Sequence, residues 1–154
     1  MAIAQARLDE LWDFTDPAGS ESRLRAAADR ERDAAARAEL HTQVARALGL
    51  QERFADAHAV LDAVSIDDDA VAVRAALERG RLRSSAGDPE AATAYFLAAV
   101  DAASAARLLF LQIDALHMLA IADASGAAGM AGGRWVRRHS RRSSDNSRMV
   151  TPAH

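Results

Sequence analysis

The side chains that could do chemistry are scattered. His41, His58 and His117 lie far apart and fit no metal-ligand spacing such as HExxH. Ser84 and Ser85 have no histidine base close in sequence that would make either a nucleophile. Asp67-Asp68-Asp69 has the acidity for a cation, but a run of aspartates before an apolar stretch reads first as helix capping. Gly80 to Gly87 is no phosphate loop, because no Gly-Lys-Ser/Thr follows. No cofactor motif stands out, and none of these groups supports an enzyme.

The arginines are different. The 154 residues contain no lysine, so all 19 basic side chains are guanidinium groups. Arg74, Arg79, Arg81 and Arg83 fall within ten residues. They read either as surface arginines paired with Asp or Glu, or as forks that take a carboxylate bidentately. The charge is split along the chain. Residues 1–123 hold 13 Arg against 21 acids, a net −8, and residues 124–154 hold 6 Arg against 1 acid, a net +5. An acidic globular part argues against nucleic acid as its partner.

These residues must be carried by helices. The chain is 50% apolar with 39 alanines, and only 5% is aromatic. Alanine favours helix and lets helices approach closely. No run of alternating β-branched residues appears, so the expected class is all-α. With no cysteine, disulfides and thiolate chemistry are excluded. No apolar run reaches the roughly 20 residues of a membrane span, and the first residues lack a basic-then-apolar signal pattern. A cytoplasmic protein with no membrane partner is expected.

Apolar periodicity and breakers predict seven helices, over 4–14, 17–29, 34–48, 52–64, 69–86, 89–103 and 105–123. Asp16-Pro17 and Asp88-Pro89 each offer an N-cap followed by proline at the first helical position. Gly49 reads as a C-terminal stop for the third helix. The clearest stretch is Gly80–Val100, in which Gly87-Asp88-Pro89 joins two helices so tightly that they must lie antiparallel.

Laid on itself with an offset of 35, the chain matches small and apolar positions. Ala45 falls on Gly80 and Ala115, Ala57 on Ala92, Leu61 on Phe96, and Val64 on Ala99. Periods of this size mark helical solenoids. Here the sequence resembles the tetratricopeptide repeat, a 34-residue helix–turn–helix unit. The best copy is 73–106, with Gly80, Gly87-Asp88, Ala92, Phe96 and Ala99, although Ser104 stands where a closing proline is common. A second copy, 38–71, has Ala45, Leu48, Phe54, Ala57 and Leu61. The first pair is degenerate, and the last helix looks like half of a third unit. The resemblance implies antiparallel pairs stacked as a short right-handed α-solenoid over residues 1–123.

It also implies a concave groove, lined by the first helix of each unit, that takes a peptide or partner helix. The positions carried over are Glu39, Thr42, Arg46 and Gly49 in one unit and Arg74, Leu77, Arg81 and Ser84 in the next. Thr42, Arg46, Arg74, Arg81 and Ser84 form the expected site, and the arginines suit an acidic peptide or a C-terminal carboxylate. The expected function is a non-enzymatic protein-interaction scaffold. The alternative is a regulatory helical domain whose basic tail contacts nucleic acid through Arg137-Arg138-His139-Ser140-Arg141-Arg142.

Residues 124–154 change character, with Gly, Ser and Arg and no periodicity, and read as disordered. They suit a basic arm, an inert terminus, or a coding frame shifted near Ala124. The last helix has apolar residues on more than one face, which predicts self-association or partner binding.

Overall fold

The chain begins with helices because little in it opposes them. The computed structural model describes residues 3–65 and 67–125, and these form seven α-helices. They are α1 (Gln5–Leu11), α2 (Pro17–Arg30), α3 (Ala34–Leu50), α4 (Phe54–Ala63), α5 (Asp69–Ser85), α6 (Pro89–Ala105) and α7 (109–125). There is no strand among the described residues.

Four aspartates start four of these helices. Asp16, Asp33, Asp68 and Asp88 each accept the backbone N–H three residues on, from Gly19, Ala36, Val71 and Ala91, at 2.9–3.1 Å. Each bond satisfies one of the amides that a helix start leaves unpaired, worth about 1 kcal/mol. The acidic cluster at 67–69 thus contains a cap, as its position suggested.

The repeat is visible in the backbone. α3 and α5 have the same length, and both of their ends are 35 residues apart. Their exits match as well. Arg53 N–H donates to Leu48 O at 3.0 Å, and Asp88 N–H donates to Arg83 O at 2.9 Å. Each turn passes through one left-handed residue, Glu52 at φ 59° and Gly87 at φ 80°. This is the glycine-type helix exit, with a glutamate filling the glycine's place in the first copy.

Two boundaries correct the sequence reading. Gly49 does not stop α3, which runs on to Leu50. The glycine instead permits a close crossing, since a Cβ there would sit 2.6 Å from Leu82 Cδ2 on α5. The last helix starts at 109 rather than 105, because α6 runs to Ala105 and turns through Arg107 at φ 58°. Of the tail expected to be disordered, residues 124–154, the first two are helical as the end of α7, and 126–154 lie outside the described residues.

Sequential helices pack side by side. α2 packs on α3, α3 on α4 and α5, α4 on α5, and α5 on α6. The odd-numbered helices form one layer and α2, α4 and α6 the other. Two apolar cores result. One gathers Leu8, Leu24, Leu40, Val44, Leu48, Ala57, Leu61 and Leu82. The other gathers Val73, Leu77, Ala92, Phe96, Ala99, Leu111 and Ala115. The Phe96 ring fills the notch left by Gly80, where an added Cβ would meet Cδ1 at 2.7 Å and Cζ at 2.9 Å. Small residues at the 35-residue spacing are therefore crossing points, and Ala45, Gly80 and Ala115 are all buried. Val64 breaks the pattern: α4 ends one residue earlier, and Val64 is only half-buried while Ala99 is fully buried.

Candidate binding groove

The odd-numbered helices turn a common face toward two adjoining cavities of about 570 and 230 Å³, which share Arg46. The larger is lined by Gln5, Asp9, Trp12 and Phe14 from the α1 region, Gln43 and Arg46 from α3, Arg74 from α5, and Phe110, Ile113, Asp114 and His117 from α7. The smaller adds Gly49, Glu78, Arg81, Ser84 and Met118. The first and last helices of the layer thus face one hollow, so the layer curves.

The N-terminal end of the groove is occupied by the chain's own α1. Ile3 N–H donates to Glu39 Oε1 at 2.9 Å, and Leu8 is buried in the first core. Glu39 is 1% exposed, and its other oxygen accepts from Arg74 Nε at 2.7 Å. Arg74 also reaches Gln5 Oε1 at 3.5 Å. One buried carboxylate therefore ties α1, α3 and α5 together.

The five expected site residues divide. Thr42 is fully buried, and its hydroxyl donates to Glu39 O at 2.7 Å, so it offers nothing to a ligand. Glu39 and Leu77, which the repeat register also placed toward the groove, are each 1% exposed. Arg46, Arg74, Arg81 and Ser84 do line the cavities. Arg74 is already paired with Glu39. Arg81 donates to Glu78 Oε1 through Nη1 and to both oxygens of Asp114 at 2.8 Å through Nη2. Burial works against its charge, but Glu78 and Asp114 outweigh that and hold its pKa above the usual value. Arg79 pairs with Asp62 at 2.8 Å, and Arg83 lies 3.9 Å from Asp88. All four pair with Asp or Glu, but Arg74 and Arg81 do so with side chains only 11% and 14% exposed, not on the surface as the ion-pair reading of this cluster expected.

Arg46 is the exception. It makes no ion pair with any described residue. Its guanidinium lies 5.5 Å from the Trp12 ring and 5.1 Å from the Phe14 ring. Those rings stack parallel with centroids 4.8 Å apart, and Trp12 Nε1 is anchored on Gln43 Oε1 at 3.2 Å. Burial lowers the pKa of Arg46, with the Glu78 charge opposing it. A desolvated cation over aromatic faces is held by the ring quadrupoles, an arrangement worth roughly 0.5–2 kcal/mol.

The sequence reading missed the aromatic pair, Glu78 and Asp114. Glu78 was legible, since Glu and Arg three residues apart share a helix face. The path from α1 that brings Trp12 to Arg46 left no local signal.

A separate hollow of about 540 Å³ lies between α2, α3 and α4, lined by Arg25, Arg37, His41 and Ser65 among others. Among the described residues, no group of three or more His, Cys, Asp or Glu is placed to hold a metal ion. No described helix is long and apolar enough to cross a membrane. No protein-family model, curated protein or solved structure matches the chain.

Proposed function

We propose that the chain is a tetratricopeptide-like interaction scaffold that takes a peptide or a partner helix in its concave groove. One observation carries this reading: an unpaired, aromatic-backed guanidinium, Arg46, sits where two cavities on the inner layer meet. An interior ion pair would be self-sufficient, whereas a desolvated cation in an accessible hollow gains most when a ligand supplies the missing acceptor. With Arg74 and Arg81 committed to internal carboxylates, attraction for an acidic ligand rests on Arg46 alone. Selection of a displayed peptide library on the full chain tests the proposal. Arg46→Ala should weaken the selected peptides at least tenfold while lowering stability by no more than the roughly 0.5–2 kcal/mol of its aromatic contacts, and unchanged affinity would sink it.

Self-association is a second reading, favoured by α7. Leu109, Phe110, Ile113, Leu116 and Ile121 are 43–67% exposed on this helix. An apolar face of that extent marks a contact surface. Light scattering across a concentration series should show growth in mass that Ile113→Glu abolishes; a concentration-independent monomer would exclude it. The nucleic-acid alternative depends on residues 126–154, which lie outside the described ones.

A further inference from the structure

The 35-residue register places Arg46 and Arg81 at equivalent points of α3 and α5. Their surroundings differ: Arg81 has two carboxylate partners, Glu78 and Asp114, and Arg46 has none. Three residues before Arg81 stands Glu78, which accepts from it. Three residues before Arg46 stands Gln43, whose amide oxygen is already taken by Trp12 Nε1. Arg46 therefore lacks the acceptor that its counterpart has.

Beside it is a group with the opposite deficit. Glu78 is 1% exposed, and its Oε2 is buried with no hydrogen-bond partner in the protein. A buried carboxylate oxygen left unpaired is costly. Arg46 and Glu78 line the same cavity of about 230 Å³, and Glu78 is the charge that acts most strongly on Arg46. An unused donor and an unused acceptor thus stand on either side of the α3–α5 seam.

Acids outnumber arginines here. Arg46, Arg74 and Arg81 face Glu39, Glu78 and Asp114, and Asp9 lines the same larger cavity. A ligand carboxylate would satisfy Arg46 but add to the negative charge beside Glu78. An ammonium would satisfy Glu78 but repel Arg46. A neutral group that both accepts and donates suits both at once.

We propose that Arg46 and Glu78 together receive a primary carboxamide, the side chain of an asparagine or glutamine in the bound peptide. The amide oxygen accepts from the Arg46 guanidinium, and the NH₂ donates to Glu78 Oε2. This deepens the groove reading and rests on it for the identity of the ligand as a peptide. Met118, unbranched, half-buried and lining the same cavity, is the neighbour best able to give way.

The test follows the arginine Nε–Hε signals of the full chain by NMR during titration with propionamide, propionate or propylammonium. Propionamide should move the Arg46 signal with a half-saturation about tenfold or more below that of propionate, as one unsatisfied charged hydrogen bond requires. Glu78→Gln replaces the acceptor by a donor and leaves Asp114 to hold Arg81, so the order should invert in favour of propionate. In the wild type the Arg81 signal, whose partner is Glu78, should move together with that of Arg46; Arg46→Leu, which breaks no ion pair, should abolish that Arg81 response and serves if Glu78→Gln fails to fold. A propionate preference in the wild type, or a propionamide response unchanged in either folded variant, would overturn the proposal. Peptides that select on the groove without asparagine or glutamine at a fixed position would overturn it and leave the groove reading standing. A propionamide response with no selectable peptide would instead overturn the groove reading.

Discussion

Replacing Glu39 with alanine should be among the most damaging single changes on the inner layer. Its side chain is 1% exposed and holds two donors, Ile3 N–H at 2.9 Å and Arg74 Nε at 2.7 Å. The Arg74 side chain is itself only 11% exposed, so the change strands a largely desolvated guanidinium. Removing one member of a buried ion pair costs about 3–5 kcal/mol. An unpaired buried amide adds roughly 1–3 kcal/mol. The Gln5 Oε1 contact at 3.5 Å remains for Arg74, which places the expected loss near the lower end of the two together, about 4 kcal/mol. Urea unfolding followed by far-ultraviolet circular dichroism measures it, with the slope of the transition checked for constancy. The companion variant Glu39→Leu/Arg74→Met, which removes both charges, should recover to within about 1–2 kcal/mol of the wild type, because apolar replacements of buried pairs are often near neutral. Asp62→Ala, at an exposed pair with Arg79, is the control and should cost about 1 kcal/mol or less. A Glu39→Ala loss no larger than that control would refute the claim that this carboxylate pins α1 into the groove.

Gly80→Ala should destabilise by roughly 1–3 kcal/mol, since the new methyl meets the Phe96 ring; combined with Phe96→Leu, it should cost less than the sum of the two single changes, and strict additivity would contradict the contact. Glu52→Gly relieves a left-handed residue at the position where the next unit carries Gly87, so thermal unfolding should occur at the same temperature or a few degrees higher; a clear fall would contradict the turn geometry. His41 is held below its ordinary pKa first by burial and then by repulsion from Arg25 and Arg37. Its folded pKa is below its unfolded one, so it costs nothing above about pH 7, destabilises the fold increasingly as pH falls through about 6.5, and levels off below the folded value. The stability of the wild type relative to His41→Gln should therefore decline between about pH 7 and 5; a flat difference would disprove this.

The sequence carried the fold further than the site, for a physical reason. Helix starts are written locally, as at Asp16-Pro17 and Asp88-Pro89, where one side chain and one ring set the geometry. The 35-residue register is also local, because each unit repeats the same crossings at Ala45 and Gly80. Length variation is less visible. α4 and α6 occupy equivalent places with 10 and 17 residues, and this displaced the start of α7 from its expected position. Groove residues depend on how units stack and on what lies over them. Thr42 holds a groove position in the repeat register, yet it is buried with Glu39 where α1 covers the inner layer. The choice between Arg81, satisfied by Asp114 from the next helix, and Arg46, left over, is set by partners more than 30 residues away.

The division of the interior into two apolar clusters has a mechanical consequence. α5 belongs to both: Leu82 and Ala75 pack into the first cluster, and Val73 and Leu77 into the second. α3 meets α5 across a close crossing that Gly49 permits. The interior is thus built as two packed clusters that share α5 as a spine. Arg46 rides on α3, which packs into one cluster, and Glu78 on the α5 spine itself. A guest that bridges them acts as a staple across the spine, and its signature is slower amide hydrogen exchange along α3 and α5, far beyond the few atoms that it touches.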